Sequence, residues 1–220
     1  MNSSIETFYN NKDKDINYVQ NYNIEHGPRL DAIIKTFNLK ELKNQKIIDV
    51  GGGCGFLGQR LDSSNEYIVF DGSNISENDK QCKMYLIKYD LDYEHFGTES
   101  NIKNVDIGFC LEVLEHLSNP YHCLVEMKKM VKPNGDIYLS IPDVSVTHNT
   151  LYPGLIYPVQ NFAQFLEQMA LPIQDYFLFD KGWKTHIFKC KNASWENSKM
   201  LFPKQESKFF GKTPLEYTNL

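Results

Sequence analysis

The spacing of hydrophobic residues along the chain alternates between a pattern typical of buried strands and a pattern typical of amphipathic helices. Apolar positions three and four apart predict a helix that begins at Gly27-Pro28, and a second helix that begins directly after residue 55. Helix and strand patterns in alternation are typical of an α/β domain. Short apolar runs predict the first five strands, at 46–50, 67–71, 84–89, 105–111 and 137–141.

The last third of the chain carries a different pattern. Residues 173–179 and 184–190 predict two strands joined by a tight turn, which is the pattern of a hairpin. The long, aromatic segment 145–158 follows the fifth strand, where loops line a ligand crevice, so we expect a lid or a substrate wall there. Three parts are therefore expected: an N-terminal arm and helix (1–45), a central domain (46–191) and a C-terminal extension (192–220).

Four glycines stand between the first predicted strand and the residues that follow it, in the stretch D-V-G-G-G-C-G at 49–55. Glycine adopts positive φ without a steric penalty and lets a ligand approach the backbone. With Gly58 the stretch also satisfies G-x-G-x-x-G, the dinucleotide pattern. Asp49 argues against a dinucleotide, because a carboxylate at the strand end would repel a pyrophosphate. It suits a ligand with a cationic amino-acid end.

The same stretch resembles the first motif of the class I S-adenosylmethionine (SAM)-dependent methyltransferases, D-x-G-x-G-x-G. The resemblance implies that the acid closing the second strand, Asp71, binds the ribose hydroxyls, and that Asp90 meets the adenine amine, with Asp92 as the competing position. The full set of cofactor-binding residues that we predict on this basis is Asp49, Gly51, Gly53, Asp71, Asp90, Leu91 and Leu111.

A second match to the same family lies at 105–143, where E-x-x-E-H follows the fourth strand and K-P-x-G precedes the fifth. Because two motifs lie on the expected elements in the expected order, the resemblance covers about 46–143. It implies a Rossmann-like, seven-stranded, mostly parallel sheet with helices on both faces, which the C-terminal antiparallel hairpin completes.

Glu112, Glu115 and His116 would share one face if a regular helix began there. This pattern resembles the metal-binding E-x-x-E-H of small-RNA terminal 2′-O-methyltransferases and of some quinone-ring O-methyltransferases, which hold magnesium. Three interpretations stay open: a divalent metal site, catalysis by His116 or His148 without a metal, and a structural role. His116 and His148 are the catalytic residues that we predict, and the metal is left undetermined.

Two N-terminal features also have alternatives. We expect Arg29 to be a solvent-exposed arginine at the start of its helix; the alternative is that it faces the carboxylate of SAM. We expect residues 1–23 to form a partly ordered arm; the alternative is a segment that folds over the ligand site and contributes Tyr18 or Tyr22.

Composition limits the partners. The formal net charge is -5 and the sequence pI about 5.7, which disfavours a nucleic-acid partner. No apolar stretch approaches the roughly 20 residues of a membrane span. Five scattered cysteines without C-x-x-C are typical of reduced thiols, so we expect a cytoplasmic protein.

Together these features predict a SAM-dependent methyltransferase that acts on a hydroxyl or amine of a small polar metabolite, such as a sugar or a sugar-nucleotide. The alternatives are an NAD-dependent oxidoreductase and a non-catalytic SAM-binding partner subunit. The oligomeric state is not predicted.

Overall fold

Seven strands form one sheet in the computed structural model, which describes residues 16–72, 84–143, 159–181 and 183–195. Their order across the sheet is β3-β2-β1-β4-β5-β7-β6, in which β1 to β5 are parallel and β7 runs antiparallel to both of its neighbours. The predicted mostly parallel sheet with a C-terminal antiparallel hairpin is therefore confirmed. The strands are β1 Lys46–Val50, β2 Glu66–Asp71, β3 Met84–Lys88, β4 Val105–Leu111, β5 Val131–Pro142, β6 Ile173–Lys181 and β7 Trp183–Lys191.

Four α-helices and three short 3-10 turns accompany the sheet in the described part of the chain. None of these helices has both the length and the hydrophobicity that crossing a bilayer requires. The helices are α1 Ile16–Thr36, α2 Phe96–Glu99, α3 Pro120–Met130 and α4 Val159–Gln168, and the 3-10 turns are Leu39–Glu41, Gly58–Arg60 and Leu114–His116.

The sheet separates two hydrophobic layers, so helices cover both faces as predicted. Along β1, Ile47 packs into the layer formed with α1, whereas Ile48 and Val50 pack into the layer formed with α3 and α4. All three side chains are fully buried. Burial of such a side chain contributes about 1.5–3 kcal/mol, so both layers stabilise the central strand directly.

The prediction that a helix begins at Gly27-Pro28 is wrong, because α1 begins at Ile16 and continues through Pro28. Proline inside a helix removes one backbone hydrogen bond. Contacts with the body of the protein hold the first half of the helix in place. Tyr22 stacks on Phe56 with 4.5 Å between ring centroids, and the guanidinium of Arg60 donates to Asn23 across 3.0 Å.

The helix predicted after the glycine stretch is reduced to the single 3-10 turn Gly58–Arg60. Gly51, Gly53 and Gly55 all adopt positive φ, which an α-helix does not tolerate. Gly58 then passes so close to the ring of Tyr67 that an added Cβ would lie 2.6 Å from it. The backbone therefore reaches β2 by an irregular, tightly packed path.

The predicted turn K-P-N-G lies inside β5 as an irregularity of the strand. Val131 pairs with Val105, but the next pair is Asp136 with Ile107, so 132–135 bulge out of the ladder. Asn134 takes the left-handed conformation with φ 62°. The turn residues thus add length to one strand without ending it.

The first residues after β7 pack on the body of the protein. The buried Lys128 donates from Nζ to the carbonyl of Ala170 at 2.9 Å and to that of Ala193 at 3.1 Å. Burial lowers the pKa of Lys128 to about 8. The predicted lid 145–158, which includes His148, lies outside the described residues, and so does most of the expected extension, from residue 196 onward.

Helix α2 lies against α3 at a contact that excludes any side chain at Gly97, because an added Cβ would be 2.0 Å from the carbonyl oxygen of Glu126. We predict that Gly97→Ala lowers the free energy of unfolding by about 1–3 kcal/mol, the usual cost of overpacking. Gly72→Ala is the matched control, since its Cβ would make an ordinary contact of 3.6 Å. Urea denaturation of both variants tests the prediction, and equal stability losses would contradict it.

Candidate functional site

The carboxyl ends of β1, β2 and β4 meet at one edge of the sheet, where the strand order reverses between β1 and β4. Ligands of open α/β sheets bind at such a switch point. The segments that leave these strands begin with Gly51, Gly72 and Glu112. They place the predicted cofactor residues of the first two strands beside the E-x-x-E-H segment.

The glycine turn after β1 is open toward this edge. A Cβ added at Gly53, which has φ 52°, would meet no atom within 4 Å, so a ligand can approach the backbone there. The N–H of Gly53 donates to Oδ2 of Asp71 at 2.9 Å. This bond holds the carboxyl end of β2 against the turn, and it brings two predicted cofactor residues together.

Asp49 lies beneath the turn. It is 3% exposed, and its Oδ2 accepts a hydrogen bond from the hydroxyl of Tyr67 at 2.5 Å. Burial raises the pKa of Asp49 to about 7, although the bond from Tyr67 opposes the rise. The carboxyl group packs directly against the backbone of the turn, because a Cβ added at Gly52 would lie 2.3 Å from Oδ2 of Asp49. Its direct contact with a ligand stays a prediction.

Arg29 is 4% exposed, so the expectation of a solvent-exposed arginine is wrong. Because α1 begins thirteen residues earlier, Arg29 lies in the middle of this helix and not at its first turn. Its side chain extends from the helix toward the edge of the sheet. Its Nη1 lies 3.2 Å from Oε2 of Glu112. Within the described residues, its buried Nε finds no hydrogen-bond acceptor, which leaves a donor for an anionic group.

Glu112 is held in an unusual conformation. It has φ 57°, its Oε2 pairs with Arg29, and its Oε1 accepts from the hydroxyl of Ser140 at 2.8 Å. Ser140 is a fully buried polar residue within an apolar strand. Sequence reasoning missed both partners of Glu112, although a lone serine in the apolar run L-S-I is a signal that could have identified Ser140.

Tyr22 lies in the same neighbourhood, which favours the alternative in which the N-terminal segment covers the site. Burial raises the pKa of the Tyr22 hydroxyl, and the nearby Arg29 lowers it. The carboxylates of Glu112 and Asp49 are also close enough to raise it. Tyr22 thus brings the first half of α1 close to Arg29 and Glu112 at this edge of the sheet.

The E-x-x-E-H segment does not form the regular helix that would align its three polar residues. Glu112 is left-handed, and Leu114–His116 is a 3-10 turn. In the described part of the chain, the ligand atoms of Glu112, Glu115 and His116 do not gather within 4.8 Å of one another. The three residues as arranged therefore do not fit a metal ion.

Glu115 and His116 form a pair instead. Oε1 of the fully buried Glu115 lies 3.7 Å from Nε2 of His116, whose side chain is one quarter exposed. Burial and the neighbouring Glu112 raise the pKa of Glu115 to about 8, and His116 opposes this rise. The arrangement gives a partly accessible imidazole with a buried carboxyl group behind it.

The remaining predicted cofactor residues lie further along the edge. Asp90 follows β3 and accepts from the N–H of Asp92 at 3.0 Å, whereas Asp92 accepts from the N–H of Asn119 at 2.8 Å. Leu91 is buried in the core, and Leu111 is half-buried at the end of β4. The assignment of Asp90 to adenine stays a prediction.

Comparison with known proteins identifies the family. A profile of the methyltransferase domain matches residues 22–188, most of the chain. The chain is 23% identical over 180 residues to a ubiquinone biosynthesis O-methyltransferase from Aromatoleum aromaticum, covering 79% of this chain and 72% of that protein. It is 29% identical over 118 residues to the enzyme of the same name from Rickettsia typhi, covering 51% of this chain and 48% of that protein. The chain thus matches about half the length of this second relative.

Solved structures share the fold at low sequence identity. Magnesium protoporphyrin IX methyltransferase from Synechocystis, with bound S-adenosylhomocysteine, aligns with a TM-score of 0.62 and 15% identity over 88% of this chain and all of that chain. The 1,6-didemethyltoxoflavin-N1-methyltransferase from Burkholderia thailandensis, which holds that compound and S-adenosylhomocysteine, gives a TM-score of 0.63 and 12% identity over 87% of both chains. Because the family profile spans most of the sequence and the sheet has the matching topology, this chain belongs to the methyltransferase-domain family and is a SAM-dependent methyltransferase.

Proposed function

We propose that this protein transfers the methyl group of SAM to a hydroxyl of a small molecule, with Arg29 and Asp71 holding the two ends of SAM. The observation that carries the proposal is the buried guanidinium of Arg29 at the switch point, whose Nε has no acceptor in the described structure. An arginine with a spare donor fits the carboxylate of an amino-acid moiety. Neither alternative, an NAD-dependent oxidoreductase or a non-catalytic subunit, is favoured by the relatives.

The proposed placement of SAM follows the order of groups along the sheet edge. Its methionine carboxylate pairs with Arg29, its chain crosses the open backbone at Gly53, and its ribose hydroxyls donate to Asp71. We propose that Asp90 and Leu91, which follow β3, contact the adenine. SAM carries a cationic ammonium and a sulfonium, and the carboxyl groups of the site favour such a ligand over a pyrophosphate.

The acceptor hydroxyl must lose its proton during the transfer. We propose that the imidazole of His116 takes that proton while the hydroxyl oxygen bonds to the methyl carbon and the carbon–sulfur bond breaks. S-adenosylhomocysteine then leaves with the sulfur electron pair. Oε1 of the buried Glu115 lies 3.7 Å from Nε2 of this imidazole. Orientation of donor and acceptor contributes on the order of 7–11 kcal/mol to such a transfer.

The named relatives support a substrate class. Several of them are O-methyltransferases of ubiquinone biosynthesis, so we propose a ring hydroxyl as acceptor in preference to the sugar hydroxyl or the amine expected from the sequence. Identities of 23% to 29% do not carry a particular substrate across. The absence of a nucleic-acid partner stays a prediction that rests on the net charge of -5.

The test of this function is direct. The purified chain is incubated with SAM carrying a labelled methyl group and with catechols, hydroxylated benzoates, sugars and primary amines. We expect the label in a methyl ether of a ring hydroxyl, detected by mass spectrometry, and none without the protein. Labelling of the sugars or amines alone would contradict the proposed acceptor.

The two ends of SAM can be tested separately. We predict that Arg29→Lys, which keeps the charge but loses the guanidinium fork, weakens SAM binding about tenfold or more. The same variant should bind decarboxylated SAM as tightly as the unaltered protein does. Asp71→Asn should weaken both ligands equally, because both carry the ribose.

Calorimetry on both variants and both ligands measures these effects. Asp180→Asn is the control, since that carboxylate is exposed at the hairpin turn between β6 and β7. Equal losses for the two ligands in Arg29→Lys would show that Arg29 does not hold the carboxylate.

The pKa of about 7 for Asp49 generates a pH dependence. At a pH below this pKa the carboxyl group of Asp49 is mostly neutral. Bound SAM, which is cationic, favours the ionised form of the group. SAM affinity should therefore rise with pH, by up to about tenfold per unit, between about pH 5 and about pH 7. In Asp49→Asn the rise should disappear. Glu115, whose pKa is about 8, stays protonated across this window and adds no slope to the pH dependence. A rise that persists in the variant would assign the titration to another group.

A further inference from the structure

A group of polar side chains outside the proposed SAM site joins helices α2 and α3. His95 directly precedes α2, and His122 and Glu126 lie one turn apart in α3. One ligand atom from each of the three residues lies within 4.8 Å of the other two. Among the described residues, this is the one group of at least three histidine, cysteine and acidic side chains that converges so closely.

Glu126 is buried, with only 1% of its side chain exposed. Its carboxylate accepts from the N–H of Thr98 at 3.2 Å and from the Thr98 hydroxyl at 3.3 Å, and Nδ1 of His95 lies 3.3 Å away. Burial would raise the pKa of Glu126, but the bonds from Lys129 and His95 outweigh it and lower the pKa. A buried anionic carboxylate is thus held in place from several sides.

His122 is oriented by the backbone. Its Nε2 lies 2.9 Å from the carbonyl oxygen of Glu94. Because a carbonyl can only accept, Nε2 carries the proton, and the lone pair of the neutral ring is on Nδ1. Metal-bound histidines commonly donate their second N–H to a backbone carbonyl in this way. The rings of His95 and His122 lie 5.1 Å apart and are steeply inclined at 71°, so they do not stack.

We propose that His95, His122 and Glu126 form a binding site for a first-row divalent cation of the Zn²⁺ class. Two imidazoles and one carboxylate match the ligands that this class prefers, whereas Mg²⁺ and Ca²⁺ prefer oxygen alone. Three protein ligands leave a coordination position for water. The His95 side chain is 60% exposed, which provides the entry path.

In the absence of a cation, Lys129 provides the positive charge that neutralises the carboxylate of Glu126. Its Nζ pairs with Oε1 of Glu126 and also donates to the Thr98 hydroxyl at 3.2 Å. The lysine side chain is 42% exposed, so it can turn to solvent when a cation takes its place. Lys129 therefore competes with a cation for the carboxylate of Glu126. Its replacement by a neutral residue should strengthen metal binding.

The site has a structural consequence for the loop after β3. The N–H of Asp90 donates to the carboxylate of Glu94 at 2.5 Å, and the carbonyl of Glu94 orients His122. A cation between His95 and α3 would fasten this loop to the helix. The proposed metal site does not depend on the methyl-transfer activity, because none of its ligands belongs to the proposed SAM site.

The test uses the full chain after removal of metals by a chelator. Zn²⁺ affinity is measured by competition with a chromophoric chelator, and Co²⁺ provides a spectrum. We predict that His95→Ala and His122→Gln each weaken Zn²⁺ binding by about tenfold or more. Lys129→Gln should bind Zn²⁺ more tightly than the unaltered chain. Bound Co²⁺ should show visible d–d bands without sulfur-to-cobalt charge transfer.

Glu115→Gln is the matched control, because Glu115 is also a buried carboxylate beside a histidine, and its variant should keep full Zn²⁺ affinity. Because His95 is largely exposed, its replacement leaves the fold intact, which circular dichroism checks. Unchanged Zn²⁺ affinity in both histidine variants, or weaker binding in Glu115→Gln alone, would overturn the proposal. A sulfur-to-cobalt band would assign the metal to cysteine and also overturn it.

Discussion

The ion pair between Arg29 and Glu112 is the interaction on which the arrangement of the site depends. Both side chains are nearly inaccessible to water, with 5% and 9% exposed. A buried pair gains little stability over an apolar one, whereas loss of one partner costs about 3–5 kcal/mol. The pair joins helix α1 to the end of β4 across the switch point, and Ser140 provides a further hydrogen bond to the carboxylate. The pair leaves Nε of Arg29 without an acceptor in the described residues, and this is the donor that we propose for the ligand.

The balance of charge around that pair explains why the site suits a cation-bearing cofactor. Acidic groups outnumber the guanidinium, since Asp49, Asp71 and Glu115 approach the same edge of the sheet as Glu112. Burial raises the pKa of Asp49 to about 7, so its carboxyl group is only partly ionised near neutral pH before a ligand arrives. Proton loss from Asp49 on binding would let the site match the charge of SAM without a large cost in the free protein.

The sequence predicted the parts of the fold that depend on local patterns. The alternation of apolar residues located all seven strands, and the glycines after β1 marked the turn that lies open at Gly53. The sequence predictions were wrong where contacts between distant residues override the local preference of the backbone. Helix α1 continues through Pro28 because Tyr22 packs on Phe56, which no local pattern reveals. Arg29 is buried for the same reason.

Two further features were beyond the sequence because they join residues far apart in the chain. The bond from Ser140 to Glu112 spans 28 residues, and the cluster of His95 with Glu126 spans 31. The central claim is that the guanidinium of Arg29 receives the amino-acid end of the cofactor. A crystal structure with S-adenosylhomocysteine tests it most directly. We expect the ligand carboxylate within about 2.7–3.2 Å of that guanidinium and the ribose hydroxyls on Asp71. A ligand carboxylate bound elsewhere, with Arg29 contacting Glu112 alone, would contradict it.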